Sequence, residues 1–168
     1  MKREQNGLNL LLAVDKPGGI SSHDVVNAVR RSLGERRVGH AGTLDPLASG
    51  LMIVGVGQAT RLMGLITATT KTYIAQIKFG SATSTDDREG EVIRTARVPE
   101  VLNKTAFARQ VLANLKGTHE QVPPAYSAIS VNGKRAYALA REGKQVRLRP
   151  RTIEIIDAKL LSLEPDER

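Results

Sequence analysis

The sequence predicts an α+β fold in which a mixed, mainly antiparallel sheet is flanked by helices. Apolar, strand-like segments alternate with helical ones, and hairpin signals such as Asn132-Gly133 appear instead of regularly spaced βαβ units. The length also fits, because 168 residues with 40% hydrophobic content suffice for one domain with its own core. We therefore expect a single domain over residues 1–168.

The first strand and the first helix follow from local signals. Residues 10–14 are apolar and predict a buried strand, which the turn sequence Asp-Lys-Pro-Gly-Gly ends. The sequence Ser21-Ser22-His23-Asp24 then begins a helix, since a serine can cap it and an aspartate in the first turn favours the positive helix end. Gly34 stops the helix. Four apolar residues at helical spacing predict its buried face: Val25, Val26, Val29 and Leu33.

The later elements are predicted from the same periodicities. Residues 71–80 alternate, so we expect a half-buried strand with Tyr73, Ala75, Ile77 and Phe79 on one face. The other predicted strands cover residues 51–56 and 91–93, with a final alternating strand within 152–163. The predicted helices cover residues 57–65, 99–115 and 134–142, the last of them short and basic.

A glycine-rich loop over residues 36–50 has the composition of a functional site. It presents one carboxylate, Asp45, downstream of Arg36, Arg37 and His40. An isolated Leu-Asp-Pro sequence is more often a surface turn, since Asp bonds its own backbone and the following proline disfavours helix. Three glycines, a histidine that can donate or accept, and a phosphate-seeking arginine pair favour a site instead.

The charge of the chain indicates a polyanionic partner. The formal net charge is +8 and the sequence pI is about 10.1, so the protein should attract nucleic acid in a salt-dependent manner. A merely soluble basic protein is the alternative. Aromatic residues make up only 3% of the chain, which argues against a single-strand binder that stacks many bases. Structured RNA or DNA fits better.

The composition predicts a protein without cofactor or metal. The chain has no cysteine, and His23, His40 and His119 lack metal-ligand spacing. Gly55-Val56-Gly57 lacks the third glycine of a dinucleotide-binding motif. The apolar stretch 8–14 is far shorter than the ~20 residues that span a bilayer. We therefore expect a cytoplasmic protein that does not enter membranes.

Four motifs, in this order, resemble the bacterial TruB family of tRNA pseudouridine synthases over nearly the whole chain. The first motif is Asp15-Lys16-Pro17-Gly18-Gly19 followed by Ser21-Ser22-His23-Asp24, and the second is Gly39-His40-Ala41-Gly42-Thr43-Leu44-Asp45-Pro46. The third is Lys71-Thr72-Tyr73, and the fourth is Val122-Pro123-Pro124-Ala125-Tyr126-Ser127-Ala128. Any one of them alone would be weak; together they are specific.

The resemblance implies that the chain converts a uridine in the T loop of tRNA, at tRNA position 55, into pseudouridine without a cofactor. It makes Asp45 the catalytic residue, acting on the ribose as a nucleophile or as a base at C2′. The base must leave the stack to react. By resemblance Tyr73 packs on the flipped uracil and His40 lies near the vacated space, although Tyr73 alone would be taken for a core tyrosine.

The resemblance also implies roles for the residues around these groups. Lys16, Pro17 and Gly42 are structural. Asp87 is an acidic loop residue near the active site, with Asp86 as a competitor and a solvated carboxylate as the alternative for both. Residues from about 117 to 150 resemble an RNA-gripping thumb insertion. The cations expected to meet RNA phosphates are Arg36, Arg37, Lys134, Arg135, Arg141 and Arg147; for each, a solvated surface charge is the alternative.

The family pattern continues beyond the motifs present here. Family members carry a further strand with an arginine that pairs with the catalytic aspartate, and then a C-terminal RNA-binding domain. We therefore expect a partial pseudouridine synthase catalytic domain, monomeric, with tRNA as its partner through the T stem-loop. A non-catalytic RNA-binding or RNA-folding module is the alternative. A glycoside hydrolase would need a second placed carboxylate, which nothing in the sequence specifies.

Overall fold

The computed structural model describes residues 7–124, 127, 129–131, 133–136, 139, 142–144, 146 and 148–164. The chain divides into two compact units, Met1–Ile74 and Ala75–Arg168. Every strand pairing in the described ranges is antiparallel. Together with the helices, these pairings confirm the α+β fold class. Within the same ranges, no helix has both the length and the apolar character needed to cross a bilayer.

The N-terminal unit is built on a three-stranded sheet with a central third strand. Its strands are β1 (Leu10–Lys16), β2 (Val38–Ala41) and β3 (Gly50–Val56), in the order β1-β3-β2. Helix α1 (Ser22–Leu33) connects β1 to β2. After β3 come a 3-10 turn, Gly57–Leu62, and the short helix α2, Met63–Thr67. The predicted helix over 57–65 is thereby confirmed in its place.

Helix α1 begins and ends where the sequence predicts. The Ser21 side chain accepts from the backbone N–H of Asp24, and the Asp24 carboxylate accepts from the backbone N–H of Ser21, which makes a reciprocal capping box. Gly34 ends the helix in the left-handed conformation at φ 63°. Val25 and Val26 are buried, as predicted for its apolar face.

The core of this unit lies between α1 and the sheet. Its buried members are Val25, Val26, Val38, Met52, Val54 and Val56. Alternate residues of β3 therefore point to α1, as expected for a strand with one covered face. The prediction of a buried first strand is wrong, since Leu10 and Leu11 are 38% and 50% exposed. The physical reason is that β1 is at the edge of the described sheet and packs only one face on the core, through Leu12 and Val14.

The C-terminal unit consists of short paired strands and one longer helix. Strand β4 (Ser81–Thr83) pairs with β5 (Val92–Thr95), and β6 (Gly117–Gln121) pairs with β9 (Arg151–Ile155). Between β5 and β6 lie a 3-10 turn, Glu100–Asn103, and helix α3, Thr105–Asn114. The predicted helix over 99–115 is confirmed with a tighter first turn.

A small hairpin follows β6 and precedes β9 along the chain. It consists of β7 (Ser130–Val131) and β8 (Lys134–Arg135). This pairing confirms the predicted Asn132-Gly133 hairpin, although Asn132 itself lies outside the described residues. The predicted basic helix over 134–142 is wrong at its start, because Lys134 and Arg135 belong to β8. Residues 137, 138, 140 and 141 lie outside the described residues.

One predicted strand and one predicted loop need correction. Residues 71–79 form no regular secondary structure, and Tyr73 and Ile77 are 65% and 67% exposed rather than half-buried. A strand needs a neighbour to complete its hydrogen bonds, and no strand of the described chain pairs with this segment. Conversely, β2 lies in the segment 36–50, which was predicted as a loop. It forms a strand because β3 supplies the backbone pairing.

Candidate active site

The Asp45 loop, residues 42–49, connects the neighbouring antiparallel strands β2 and β3. His40 and Ala41 pair with Val54 and Ile53 on one side of the loop, and on its other side Gly50 pairs with Lys16 of β1. Both ends of the loop are therefore fixed to the central strand of the sheet. Asp45 is exposed at the middle of the loop.

Lys16 anchors the segment that follows Asp45. Its side chain is fully buried, and the ammonium donates to the carbonyl oxygens of Pro17 at 2.9 Å, Ile20 at 2.7 Å and Pro46 at 3.3 Å. Three acceptors match the three donors of an ammonium group. The backbone N–H of Gly19 also donates to Pro46 at 2.8 Å. The turn after β1 and the loop are thus joined at the residue next to Asp45.

Ser22 anchors the residue that precedes Asp45. Its side chain is 3% exposed, and its hydroxyl lies 2.9 Å from both the carbonyl oxygen and the amide nitrogen of Leu44. The hydroxyl can donate to the first and accept from the second. Leu44 itself packs against the core of the unit. The loop is therefore held on both sides of Asp45.

Asp45 combines a fixed backbone with an exposed side chain. Its own carbonyl oxygen accepts from the N–H of Ala48 at 3.0 Å, which closes a tight turn. Within the described part of the chain, its carboxylate makes no hydrogen bond or ion pair. The carboxylate can therefore meet a ligand without first giving up an internal partner.

His40 and Gly42 shape the entry to the loop. The Nδ1 atom of His40 lies 2.5 Å from the carbonyl oxygen of Gly42. A carbonyl can only accept, so Nδ1 carries the proton of this hydrogen bond. Gly42 has φ 79°, a left-handed conformation that favours glycine. A Cβ there would meet Lys71 Cε at an ordinary 3.5 Å, so conformation rather than space requires the glycine.

Comparison with protein families places this loop in a known context. Residues 30–168 match the family described as TruB family pseudouridylate synthase, N terminal domain. The chain belongs to the TruB family. The matched segment includes the Asp45 loop, β2, β3 and the whole C-terminal unit.

Curated TruB relatives are similar over most of this chain. The tRNA pseudouridine synthase B of Mycobacteroides abscessus is 51% identical over 145 residues, which cover 86% of this chain and 48% of that protein. The protein of the same name from Nocardia farcinica is 49% identical over 160 residues, covering 95% of this chain and 52% of that protein. The chain spans about half the length of the curated relatives it matches.

Solved structures show a more distant similarity. A crystal structure of a Cbf5-Nop10-Gar1 complex aligns with 90% of this chain and 37% of that chain, with 23% identity and a TM-score of 0.48. The structure of an H/ACA RNP bound to a substrate RNA containing 2'-deoxyuridine aligns with 73% of this chain and 34% of that chain, with 22% identity and a TM-score of 0.41.

Tyr73, which the TruB resemblance assigns to the substrate, lies near the end of the N-terminal unit. The residue is 65% exposed, so it is not the core tyrosine that an alternating strand would give. Lys71, two residues earlier, donates to the carbonyl oxygens of Thr67 at 2.7 Å and Thr69 at 3.3 Å. The Lys-Thr-Tyr motif is thus tied through Lys71 to the end of α2.

Asp87 lies in the exposed loop between β4 and β5, in the C-terminal unit. Its Oδ1 atom accepts from the Thr85 hydroxyl at 2.7 Å and from the N–H groups of Glu89 at 2.9 Å and Gly90 at 3.2 Å. The Thr85 bond, followed by the two backbone bonds, lowers the pKa of Asp87 below its ordinary value of 3.8. Asp87 therefore organises its own loop. Asp86 beside it has φ 61°.

The basic residues expected to meet RNA differ in their surroundings. Arg36 is exposed, and its guanidinium has no partner in the described chain. Arg37 donates to Thr60 at 2.9 Å and to Gln58 at 3.4 Å, so it is partly occupied. Lys134 is exposed at the start of β8. Arg135 belongs to β8, whereas the predicted phosphate contacts Arg141 and Arg147 lie outside the described residues.

Two features of the structure were missed from the sequence. The sequence places Ser22 at the start of α1 but does not show its contacts with Leu44. The available signal is that Ser21 already caps the helix, so the hydroxyl of Ser22 is left for another partner. A groove in the C-terminal unit is lined by two cations, Lys78 and Arg97, together with Phe79, and its lining contains no carboxylate. In the described chain neither cation has a partner. Among the described residues, no cluster of three or more His, Asp or Glu could hold a metal ion.

Proposed function

We propose that this chain isomerises uridine to pseudouridine in the T loop of tRNA, at tRNA position 55, with Asp45 as the catalytic residue. The observation that carries the proposal is the Asp45 loop, in which buried Lys16 and Ser22 fix the backbone while the carboxylate stays exposed and unpaired within the described chain. Relatives about half identical to this chain and named tRNA pseudouridine synthase B support the choice of substrate.

The proposed chemistry needs a carboxylate and no redox partner. The C1′–N1 glycosidic bond breaks, the uracil turns, and C1′ bonds to C5, which loses its hydrogen while N1 gains one. Substrate and product are isomers, so no atom or electron is gained overall. Asp45 acts on the ribose either as a nucleophile or as a base at C2′, and both roles need an exposed, ionised carboxylate.

The flipped base requires partners outside the helix stack. Extrusion costs a few kcal/mol, which an enzyme recovers by stacking the base in its site. The exposed ring of Tyr73 is available to stack on the uracil. His40, whose Nδ1 is engaged by the Gly42 carbonyl, is proposed to lie near the space that the base leaves. Asp87, whose Oδ2 has no partner in the described chain, is proposed as a further contact.

The proposed RNA grip uses the basic residues of both units. The segment between the paired strands β6 and β9 carries the hairpin with Lys134 and Arg135, and further along Arg141 and Arg147. Because the formal charge is +8, binding should weaken steeply with salt through counterion release. We expect the chain to act as a monomer in the cytoplasm.

Tritium release from C5-labelled uridine in a T stem-loop RNA tests this proposal. Asp45→Asn keeps the shape of the side chain and removes its charge, so release should fall below detection while RNA binding persists. Asp157→Asn is the matched control, since Asp157 is an exposed carboxylate whose ion-pair partners among the described residues are the exposed Lys116 and Lys159. Absence of release from the unaltered chain, with salt-sensitive RNA binding, would leave the non-catalytic RNA-binding module as its function.

A further inference from the structure

Ser22 has a hydroxyl group that its own helix does not use. It is the first residue of α1, and the helix end is already capped by Ser21 and Asp24. The Ser22 side chain is nevertheless 3% exposed, so its hydroxyl must find partners inside the protein. Both partners belong to Leu44, 22 residues along the chain.

The contact fixes the peptide plane in front of Asp45. The Leu44 carbonyl, 2.9 Å from the Ser22 hydroxyl, lies in the same planar peptide unit as the Asp45 N–H. The φ angle of Asp45 is the rotation about its N–Cα bond, which joins this peptide plane to the Cα atom. The next peptide plane is also held, because the Asp45 carbonyl accepts from Ala48 at 3.0 Å. Both backbone rotations of Asp45 are thereby set by hydrogen bonds.

We propose that Ser22 is a positioning residue for Asp45. By holding the preceding peptide plane, its hydroxyl orients the Asp45 Cα–Cβ bond, so that the carboxylate meets the ribose with little reorganisation. This inference rests on the proposed function of Asp45. Misplacement of a reacting group by about 1 Å can reduce a rate by roughly 100-fold. Loss of the hydroxyl should therefore slow the reaction without weakening RNA binding.

Ser21 provides the matched control. Ser21→Ala removes the capping hydroxyl from the same helix end, one residue away, without touching Leu44. A merely structural role for Ser22 would make Ser22→Ala and Ser21→Ala lose activity in step with their stability. A positioning role predicts instead that Ser22→Ala loses more activity than its loss of stability explains, whereas Ser21→Ala does not. Ser22→Thr keeps the hydroxyl and should restore most of the rate.

Kinetics on the T stem-loop RNA give the first test. We expect Ser22→Ala to lower kcat by roughly 10- to 100-fold with KM within about twofold of the unaltered chain. Ser21→Ala should keep both constants within about threefold. A change in KM alone, or equal losses of kcat in the two alanine variants, would overturn the proposal. If Ser22→Ala does not fold, Ser22→Cys, with a weaker donor of similar shape, takes its place.

Nuclear magnetic resonance on the free chain gives a second test that needs no turnover. The three-bond HN–Hα coupling of Asp45 reports φ, and exchange of the Leu44 amide reports its bond to Ser22. In Ser22→Ala we expect an averaged coupling and amide exchange at least about tenfold faster, with neither change in Ser21→Ala. Unchanged values would refute the positioning role. If the unaltered chain shows no turnover, the function of Asp45 fails, while these measurements still decide whether Ser22 orients it.

Discussion

The buried ammonium group of Lys16 donates a hydrogen bond to the carbonyl oxygen of Pro46, at 3.3 Å and across 30 residues of chain. Lysine is almost never fully buried unless its charge is satisfied. Here three carbonyl oxygens satisfy it, and each belongs to the β1 turn or to the Asp45 loop. Lys16 therefore acts as an internal cross-link between two loops rather than as a reactive group.

Replacing Lys16 by methionine tests this cross-link. Lys16→Met keeps an unbranched apolar side chain and leaves the carbonyl oxygens of Pro17 and Ile20 without a donor, while that of Pro46 keeps the Gly19 N–H, so the free energy of unfolding should fall by about 2–3 kcal/mol. Lys71→Met is the control, because Lys71 also bonds two carbonyls but is exposed. It should change the free energy by less than about 0.5 kcal/mol. Urea denaturation measures both, and equal losses would contradict a special role for the buried lysine.

Replacing Gly42 or Gly64 by alanine should change the free energy of unfolding in opposite directions. Gly42→Ala places a side chain at φ 79° with no close contact, so backbone strain alone should cost about 1–2 kcal/mol. Gly64 lies within α2 and has open space at its Cβ position. Gly64→Ala should therefore raise the free energy of unfolding by roughly 0.5–1 kcal/mol. Thermal unfolding of the two variants measures both changes in stability. A Gly42→Ala variant more stable than the unaltered chain would contradict the predicted backbone strain.

The core beneath the sheet should be sensitive to loss of volume. Val54 is 0% exposed at the centre of β3, so Val54→Ala should cost about 2 kcal/mol through lost burial and the cavity left behind. Val92→Ala removes the same atoms from a strand residue that is 59% exposed. It should stay within about 0.5 kcal/mol of the unaltered chain. Similar losses in both variants would place the core elsewhere.

The Asp87 loop should lose stability in acid. Hydrogen bonds lower the pKa of Asp87 in the folded chain, so its stabilisation is present above the ordinary, unfolded value of 3.8 and is lost as pH falls through the folded pKa. Thr85→Val removes the largest cause and should raise the pKa of Asp87 towards its ordinary value. Thr83→Val is the control, since the Thr83 hydroxyl donates to the Asp87 backbone carbonyl instead. Carboxyl resonances followed between pH 2 and about 6 measure the shift; a Thr83→Val effect as large as that of Thr85→Val would contradict it.

The elements that could be predicted from the sequence are those fixed by local chemistry. Helix α1 begins at Ser21 and ends at Gly34 because a capping hydroxyl and a left-handed glycine act within a few residues. The central strand β3 can be predicted because its residues form an apolar run. By contrast, β2 contains Gly39 and His40, and it becomes a strand because β3 lies beside it. The alternating segment 71–79 shows the converse, a strand pattern without a pairing partner in the described chain.

The same division between local and long-range signals applies to the candidate site. Asp45 and His40 stood out because a glycine-rich loop with one carboxylate is unusual by itself. The contacts that hold this loop did not, since Ser22 meets Leu44 and Lys16 meets Pro46 across 22 and 30 residues. Such hydrogen bonds leave no periodic trace in a sequence. The exposed position of Tyr73 was likewise not visible from its pattern.

The contacts around the Asp45 loop have a consequence for the order of folding. The hydrogen bonds and strand pairs that hold the loop ends join residues between Lys16 and Val56, and the pairing of Lys16 with Gly50 spans 34 residues. These contacts need only the N-terminal unit, and N-terminal segments leave the ribosome first. The nascent chain should therefore assemble the surroundings of Asp45 while the C-terminal unit is still being synthesised, so that the carboxylate is in place before the basic hairpin exists.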